Sequence, residues 1–230
     1  MKFKETQVFN YEGALRGMRN PKNSWDRSDS YVGYDEWDQT KVIIGTGDLQ
    51  LAQRLIRAGS EHRKFMRQII VSVDITAPLY WWKEFDTYKV GTTANSTSTM
   101  HKLSDTPITL DCFELDDYQK VIIEKYEDED DYFANDELWA YLITHMETLR
   151  IKYLETKDKK YWKELIRLLP ESWLQTRTIT MNYENLYSMI RQRSSHKLTE
   201  WSDSFIDWCK TLPYAKELLF LDLEKEDKNN

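Results

Sequence analysis

The chain has 230 residues, 40% of them hydrophobic, with 9 Trp, 14 Tyr and 8 Phe, enough for one large core or two small ones. Its 39 acidic residues outnumber 32 basic ones, and the net charge of −7 argues against a nucleic-acid-binding role, whose footprint is a basic face. Cys112 and Cys209 lack metal-ligand spacing. They could form one disulfide, but their scarcity and an opening, MKFKETQVFNYEG, without an apolar stretch fit a soluble, cytoplasmic protein better. No apolar run approaches the length needed to span a bilayer.

In chain order, TQVFNYEGALRGMRN predicts a short strand and then a helix near residues 11–19. Residues 20–40 are polar and turn-rich with scattered aromatics, which suits an ordered surface loop. A helix follows, with Asp48 as N-cap, an apolar stripe of Leu51, Leu55, Ile56 and Ala58, and Gly59 as its stop. The alternation from Ile69 to Ile75 predicts a half-buried strand, and Pro78 is placed to open a helix over PLYWWKEFDTY. Beyond it, Gly91–Met100 is an uncharged run of threonines and serines that reads either as a linker or as a binding loop. Helices are expected over 113–126, 134–157 and 159–168, with the charge run Glu127–Asp131 as a solvated loop. LQTRTITMN predicts another strand, and helices at 184–193, 197–211 and 213–219 complete the chain. Long helices around a few strands, without βαβ alternation, define an α+β fold with a small, mainly antiparallel sheet. We expect one domain over residues 1–222 and a frayed tail over 223–230.

Three stretches have the residue types to hold an anion. His62 sits in GSEHRKFMRQ beside Arg63, Lys64 and Arg67, and His196 sits in IRQRSSHKLTEW beside Arg193 and Lys197. The third is the hydroxyl run, because Thr and Ser hydroxyls and backbone N–H groups bind phosphate without carrying charge. Taken alone, each reads more readily as a solvated helix start or a plain polar loop. They gain meaning only if the fold gathers them. No zinc spacing, nucleophile elbow or phosphate-binding glycine loop is present.

The order of these segments resembles the flavin-dependent thymidylate synthases. SVDITAPLYWWKEFDTYKVGTTANSTSTMH is similar to the family's strand, Ala-Pro, helix and Arg-His-Arg loop with its following Asn-Glu-x-Ser-x-Arg-Tyr. LIRAGSEHRKFMRQ matches the family's Gly-His segment. IRLLPESWLQTRTITMNYENLYSMIRQRSSHKLTEW matches its Arg-x-x-Leu-Pro, Thr-rich strand, Asn-headed helix and His turn. The resemblance covers roughly residues 48–220. It implies a homotetramer binding FAD and dUMP at subunit interfaces, with NADPH and methylenetetrahydrofolate as co-substrates. The family's activity is hydride delivery from reduced flavin and one-carbon transfer to C5 of the pyrimidine.

Carried over residue by residue, the resemblance implies a cofactor set of His62, Lys64, Tyr88, Lys89, Val90, Asn182, Ser188 and His196. For a pyrimidine deoxynucleotide it implies Glu84, Asn95, Thr97, Ser98, Thr99, Arg167 and Arg193. The departures fall at the chemistry. Thr87, Tyr88 and Lys89 replace Arg-His-Arg, and Ala94–Met100 replaces the second motif. A hydroxyl cannot supply the charge of an arginine–phosphate contact, and Lys89 retains one positive point charge. Two functions follow from this: a divergent enzyme of the thymidylate synthase type, or a catalytically inactive module on the same scaffold that holds a nucleotide-like ligand or a protein partner. An enzyme needs the lost charges replaced, with Arg63, Lys64 and Arg67 as candidates, whereas a binder does not.

Overall fold

The computed structural model describes residues 1–34, 40–115 and 135–223. The charge run Glu127–Asp131, the residues from 224 on and most of the expected 113–126 helix lie outside them. The strands are β1 (Lys2–Phe9), β2 (Tyr31–Tyr34), β3 (Thr40–Ile43), β4 (Ile70–Pro78), β5 (Thr93–Ser96) and β6 (Leu174–Asn182). The α-helices are α1 (Tyr11–Arg19), α2 (Thr46–Arg57), α3 (Leu79–Phe85), α4 (Thr99–Lys102), α5 (Asn135–Thr156), α6 (Lys159–Arg167), α7 (Tyr183–Arg193) and α8 (Ile206–Lys210). Glu200–Phe205 and Ala215–Leu219 are π-helical, so the two expected C-terminal helices are partly wider-wound than α.

Four strands form a sheet in the order β1-β4-β6-β5. Strands β4 and β6 are antiparallel. Tyr183 N–H donates to Ile69 O at 3.0 Å, Thr178 Oγ1 bonds Asp74 at 2.6 Å, and Thr76 and Thr176 hydroxyls meet at 2.7 Å. The alternation seen in the sequence holds in β4, where Val71, Val73, Ile75 and Ala77 are fully buried. Burying each Val or Ile is worth about 1.5–3 kcal/mol.

The chain divides into two compact units. The first takes in Met1–Lys2, Thr76–Asp86 and the described part of Ser96–Arg177. Its core gathers Leu103, Ile108, Phe113, Met146, Leu149 and Leu165, with Trp139 and Trp173 packed against them. Here α3 starts at Pro78, and its first amides are satisfied from outside the helix: Leu79 N–H donates to Trp173 O and Tyr80 N–H to Glu171 O, both at 3.1 Å. The second unit comprises Phe3–Ile75, Thr87–Asn95 and the described residues from Thr178 on. Its buried residues include Ile56, Met66, Ile179, Tyr183, Trp201 and Phe205.

Four expectations are corrected. Residues 31–43 contain a hairpin rather than only loop: β2 and β3 pair antiparallel, with Val32 opposite Val42 and Gly33 opposite Lys41. Asp48 is not the N-cap of α2. Gly45 holds that position, and Asp29 caps from afar by accepting from the N–H groups of Gly47 (2.7 Å) and Asp48 (2.9 Å). Asp48 is instead buried, as are Ala52 and Ile56, while Ala58 is exposed and Leu51 and Leu55 are half-buried. No helix begins at Phe113, which is extended and bridges Trp173, because Glu114 N–H bonds Ser172 O at 2.7 Å instead. The hydroxyl run is not wholly a loop: Thr93–Ser96 forms edge strand β5, and Thr99 then starts α4. Gly59 does end α2, with φ at +104°, a conformation that favours glycine. Both cysteines are free, Cys209 buried and Cys112 partly so.

Candidate functional site

The residues expected to hold a cofactor all fall in the second unit. Helix α7 starts with a reciprocal cap. Asn182 Oδ1 accepts from Asn185 N–H at 3.0 Å, and Asn185 Oδ1 accepts from Asn182 N–H at 3.1 Å. Asn185 Nδ2 also donates to Val90 O at 2.8 Å, which ties the 87–95 segment to the head of the helix. Gly91 follows with φ at +77°. A Cβ there would lie 2.9 Å from Asn182 Nδ2 and 3.0 Å from Asn185 Oδ1. The close approach of backbone to the two asparagines therefore requires glycine. Thr92 Oγ1 donates to Tyr88 O and tightens the same turn.

Tyr88 lies over the C-terminal end of α7. Its hydroxyl donates to Gln192 Oε1 and accepts from Arg193 Nε, both at 2.9 Å, and its ring meets Trp201 edge-on at 6.2 Å. The Arg193 guanidinium also lies 4.8 Å from the Trp201 ring centre. Lys89 and Val90 are exposed beside this cluster, with Val90 at 87% exposure. An exposed valine on a loop whose backbone is fixed presents an apolar contact to whatever the loop meets. Ser188 is half-buried on α7. His196 Nδ1 accepts from Leu198 N–H at 3.2 Å, so a neutral ring carries its proton on Nε2.

His62 and Lys64 are exposed on the turn after α2, where His62 N–H bonds Gly59 O at 3.0 Å. Their basic neighbours are spoken for. Arg63 Nε bonds Glu184 Oε1 at 3.1 Å, and Arg67 Nε bonds Glu184 Oε2 at 2.7 Å. Arg63 also covers the Tyr187 ring at 4.5 Å, and Lys64 pairs with Glu61 at 3.3 Å.

The residues expected to hold a nucleotide divide differently. Asn95, exposed in β5, and Arg193 belong to the second unit, while Glu84, Thr97, Ser98, Thr99 and Arg167 belong to the first. Glu84, Ser98 and Thr99 are half-buried. Thr97 is exposed, with its N–H on Thr176 O at 2.9 Å. Arg167 ends α6 on the surface and pairs with Glu164 at 2.8 Å. A guanidinium that the sequence reading missed, Arg177, lies 4.3 Å over Trp82, bonds Gln175 Oε1 at 2.9 Å and pairs with Asp86 at 2.7 Å. Asn185, Glu184, Gln192 and Trp201 were also missed. Only Asn185 left a signal, because Asn three residues after Asn at a strand end is the pattern of a reciprocal cap.

Helices around a small antiparallel sheet, with a helix headed by the asparagine of a Thr-rich strand, define the fold of the flavin-dependent thymidylate synthases. Two solved structures show the likeness, both of flavin-dependent thymidylate synthase ThyX from Helicobacter pylori with FAD and dUMP. One is 19% identical with a TM-score of 0.63, covering 96% of this chain and 99% of that one. The other is 18% identical with a TM-score of 0.63, covering 96% and 98%. No protein-family model matches the chain, and no curated protein matches its sequence. Among the described residues no helix is long and apolar enough to cross a membrane, and no cluster of His, Cys, Asp or Glu has the form of a metal site.

Proposed function

We propose that the chain is a divergent flavin-dependent thymidylate synthase-like protein that binds FAD and a pyrimidine deoxynucleotide related to dUMP, as a cytoplasmic homotetramer. The observation that supports this best is the fold match over nearly the full length of both chains, to proteins that hold those two ligands. The residues present suit a flavin. Gly91 lets backbone approach the Asn182 and Asn185 amides, Val90 and Tyr88 offer apolar and aromatic contact, and His62 and Lys64 stand exposed as donors. When bound, a flavin supplies hydride transfer. The chain's own part is to orient it through Asn182, His62 and His196. For the nucleotide, the second unit offers Lys89, Asn95 and Arg193, and the first, taken by itself, offers the hydroxyls of Thr97, Ser98 and Thr99 together with Arg167.

A second reading, binding without turnover, draws support from the ion pairs. Glu184 engages both Arg63 and Arg67, leaving that trio one net positive charge, and Asp86 pairs with Arg177, so these guanidinium groups are held within the protein rather than free to stand in for the charge lost at Thr87 and Thr99. Purified protein given FAD, NADPH, methylenetetrahydrofolate and dUMP separates the two. Oxidation of NADPH that depends on dUMP, with a methylated product, supports the enzyme. Saturable dUMP binding by calorimetry without turnover supports the binding module. No dUMP binding at all refutes both nucleotide readings.

A further inference from the structure

The acidic balance of the chain hides one basic corner. From residue 152 to 163, where α5 turns into α6, five lysines (Lys152, Lys157, Lys159, Lys160 and Lys163) stand against only Glu155 and Asp158. Aromatic residues alternate with them. Lys160 lies 4.8 Å and Lys152 5.8 Å from the Tyr161 ring centre, and Lys157 lies 6.0 Å from that of Tyr153. Asp158 is occupied as the N-cap of α6 and by Lys160 at 3.0 Å, whereas Lys159 has no ion pair among the described residues.

A cavity of about 240 Å³ opens at this corner, lined by Met100, Ser104, Tyr153, Lys159 and Trp162. Its walls are held from behind. Trp162 Nε1 donates to Met100 O at 2.9 Å, and buried Ser104 receives Arg150 Nη1 on its carbonyl at 3.1 Å. Arg150 is fixed in turn by Glu147 at 2.5 Å. A cavity of about 150 Å³ accommodates a benzene ring, so this one has room for a pyrimidine-sized ring and the start of its substituent. An indole and a phenol offer stacking faces to a planar ring, and ammonium groups at the rim attract an anion.

We propose that this corner binds a phosphate ester carrying a planar base, with the base against Trp162 and Tyr153 and the phosphate at Lys159. The site lies wholly within the first unit, and none of its lining residues belongs to the cofactor or nucleotide sets named above. The ester is either a free nucleotide or part of a single strand, since both present the same base and phosphate.

The test follows the indole N–H resonance of Trp162, assigned as the signal lost in Trp162→Phe, while full-length protein is titrated with dTMP or with an eight-residue thymidine single strand at low salt. The resonance is expected to shift saturably. Lys159→Glu should weaken binding about tenfold, the size of one charge-assisted contact. Lys41→Glu changes the net charge equally at an exposed position on β3 and should stay within about twofold of the parent. A response to dTMP identifies a free nucleotide, and a response to the strand alone identifies a nucleic-acid end. No shift with either probe, or equal weakening by Lys41→Glu, overturns the proposal.

Discussion

Asp48→Ala should be among the most damaging single substitutions in this protein. Asp48 is fully buried, and so, nearly, is its partner Arg19, whose Nε lies 2.5 Å from Oδ1. The other carboxylate oxygen accepts from Ser28 Oγ and Ser30 Oγ at 2.6 Å and from Ser30 N–H at 3.2 Å. Truncation would strand a buried guanidinium and three donors together. Removing one member of a buried pair costs about 3–5 kcal/mol, which for a chain of this size lowers Tm by roughly 6–20 °C. Urea denaturation followed by circular dichroism measures it. Arg19→Met/Asp48→Leu should recover part of the loss, because two apolar groups replace a buried ion pair at little cost, though the serine donors remain unmet. Burial opposes ionisation of Asp48, but hydrogen bonds from Ser28, Ser30 and Arg19, with the Arg19 charge, hold its carboxyl below the usual range. Its contribution is therefore complete above the unfolded carboxylate value of about 3.9 and is lost as pH falls through the lower folded value. Asp48→Ala should thus be flatter in acid than the parent. A loss under about 1 kcal/mol with an unchanged acid profile would refute the idea that this pair is buried and coupled.

Other outcomes follow from the same structure. Gly91→Ala should cost about 1–3 kcal/mol, because φ is +77° and the new methyl meets two asparagines; thermal unfolding would show it. Asn182→Ala should cost about 0.5–2 kcal/mol from loss of the cap alone, so any fall in FAD affinity in that variant must be compared with Asn182→Asp, which keeps the capping oxygen. Tyr11 and Tyr183 share a buried 2.7 Å hydroxyl contact, and burial pushes both phenols well above the usual range. Their stabilising share is complete below the unfolded value of about 10 and is lost only as pH rises through the folded values. Absorbance at alkaline pH should therefore leave these two tyrosines unionised until the protein unfolds. A thiol reagent should label Cys112 in the folded protein and Cys209 only on unfolding, since burial both shields the second thiol and raises its ionisation.

What could be read from the sequence was what is encoded locally. Alternating Val71, Val73 and Ile75 announced β4, and Gly59 announced the end of α2, because strand period and left-handed backbone leave their mark in adjacent residues. The hairpin of β2 and β3 was hidden because β2 is a short run inside a polar, turn-rich stretch and its pairing partners lie beyond residues 35–39. Asp48 misled because an Asp just ahead of an apolar helical stripe is a usual N-cap, whereas here Asp29 supplies the cap and leaves Asp48 for Arg19. At the candidate site, the 87–95 segment and the head of α7 could be connected through the order of motifs. The engagement of both Arg63 and Arg67 by Glu184 could not, since that pairing joins residues more than a hundred positions apart. Charge in a sequence gives the number of cations, and only the fold shows which are already paired.

The visible spectrum of the purified protein, before and after addition of FAD, tests the central claim most directly. The account predicts a yellow protein or stoichiometric FAD uptake, weakened by His62→Ala and by Asn182→Ala beyond the Asn182→Asp control. A colourless protein that takes up no FAD would contradict it.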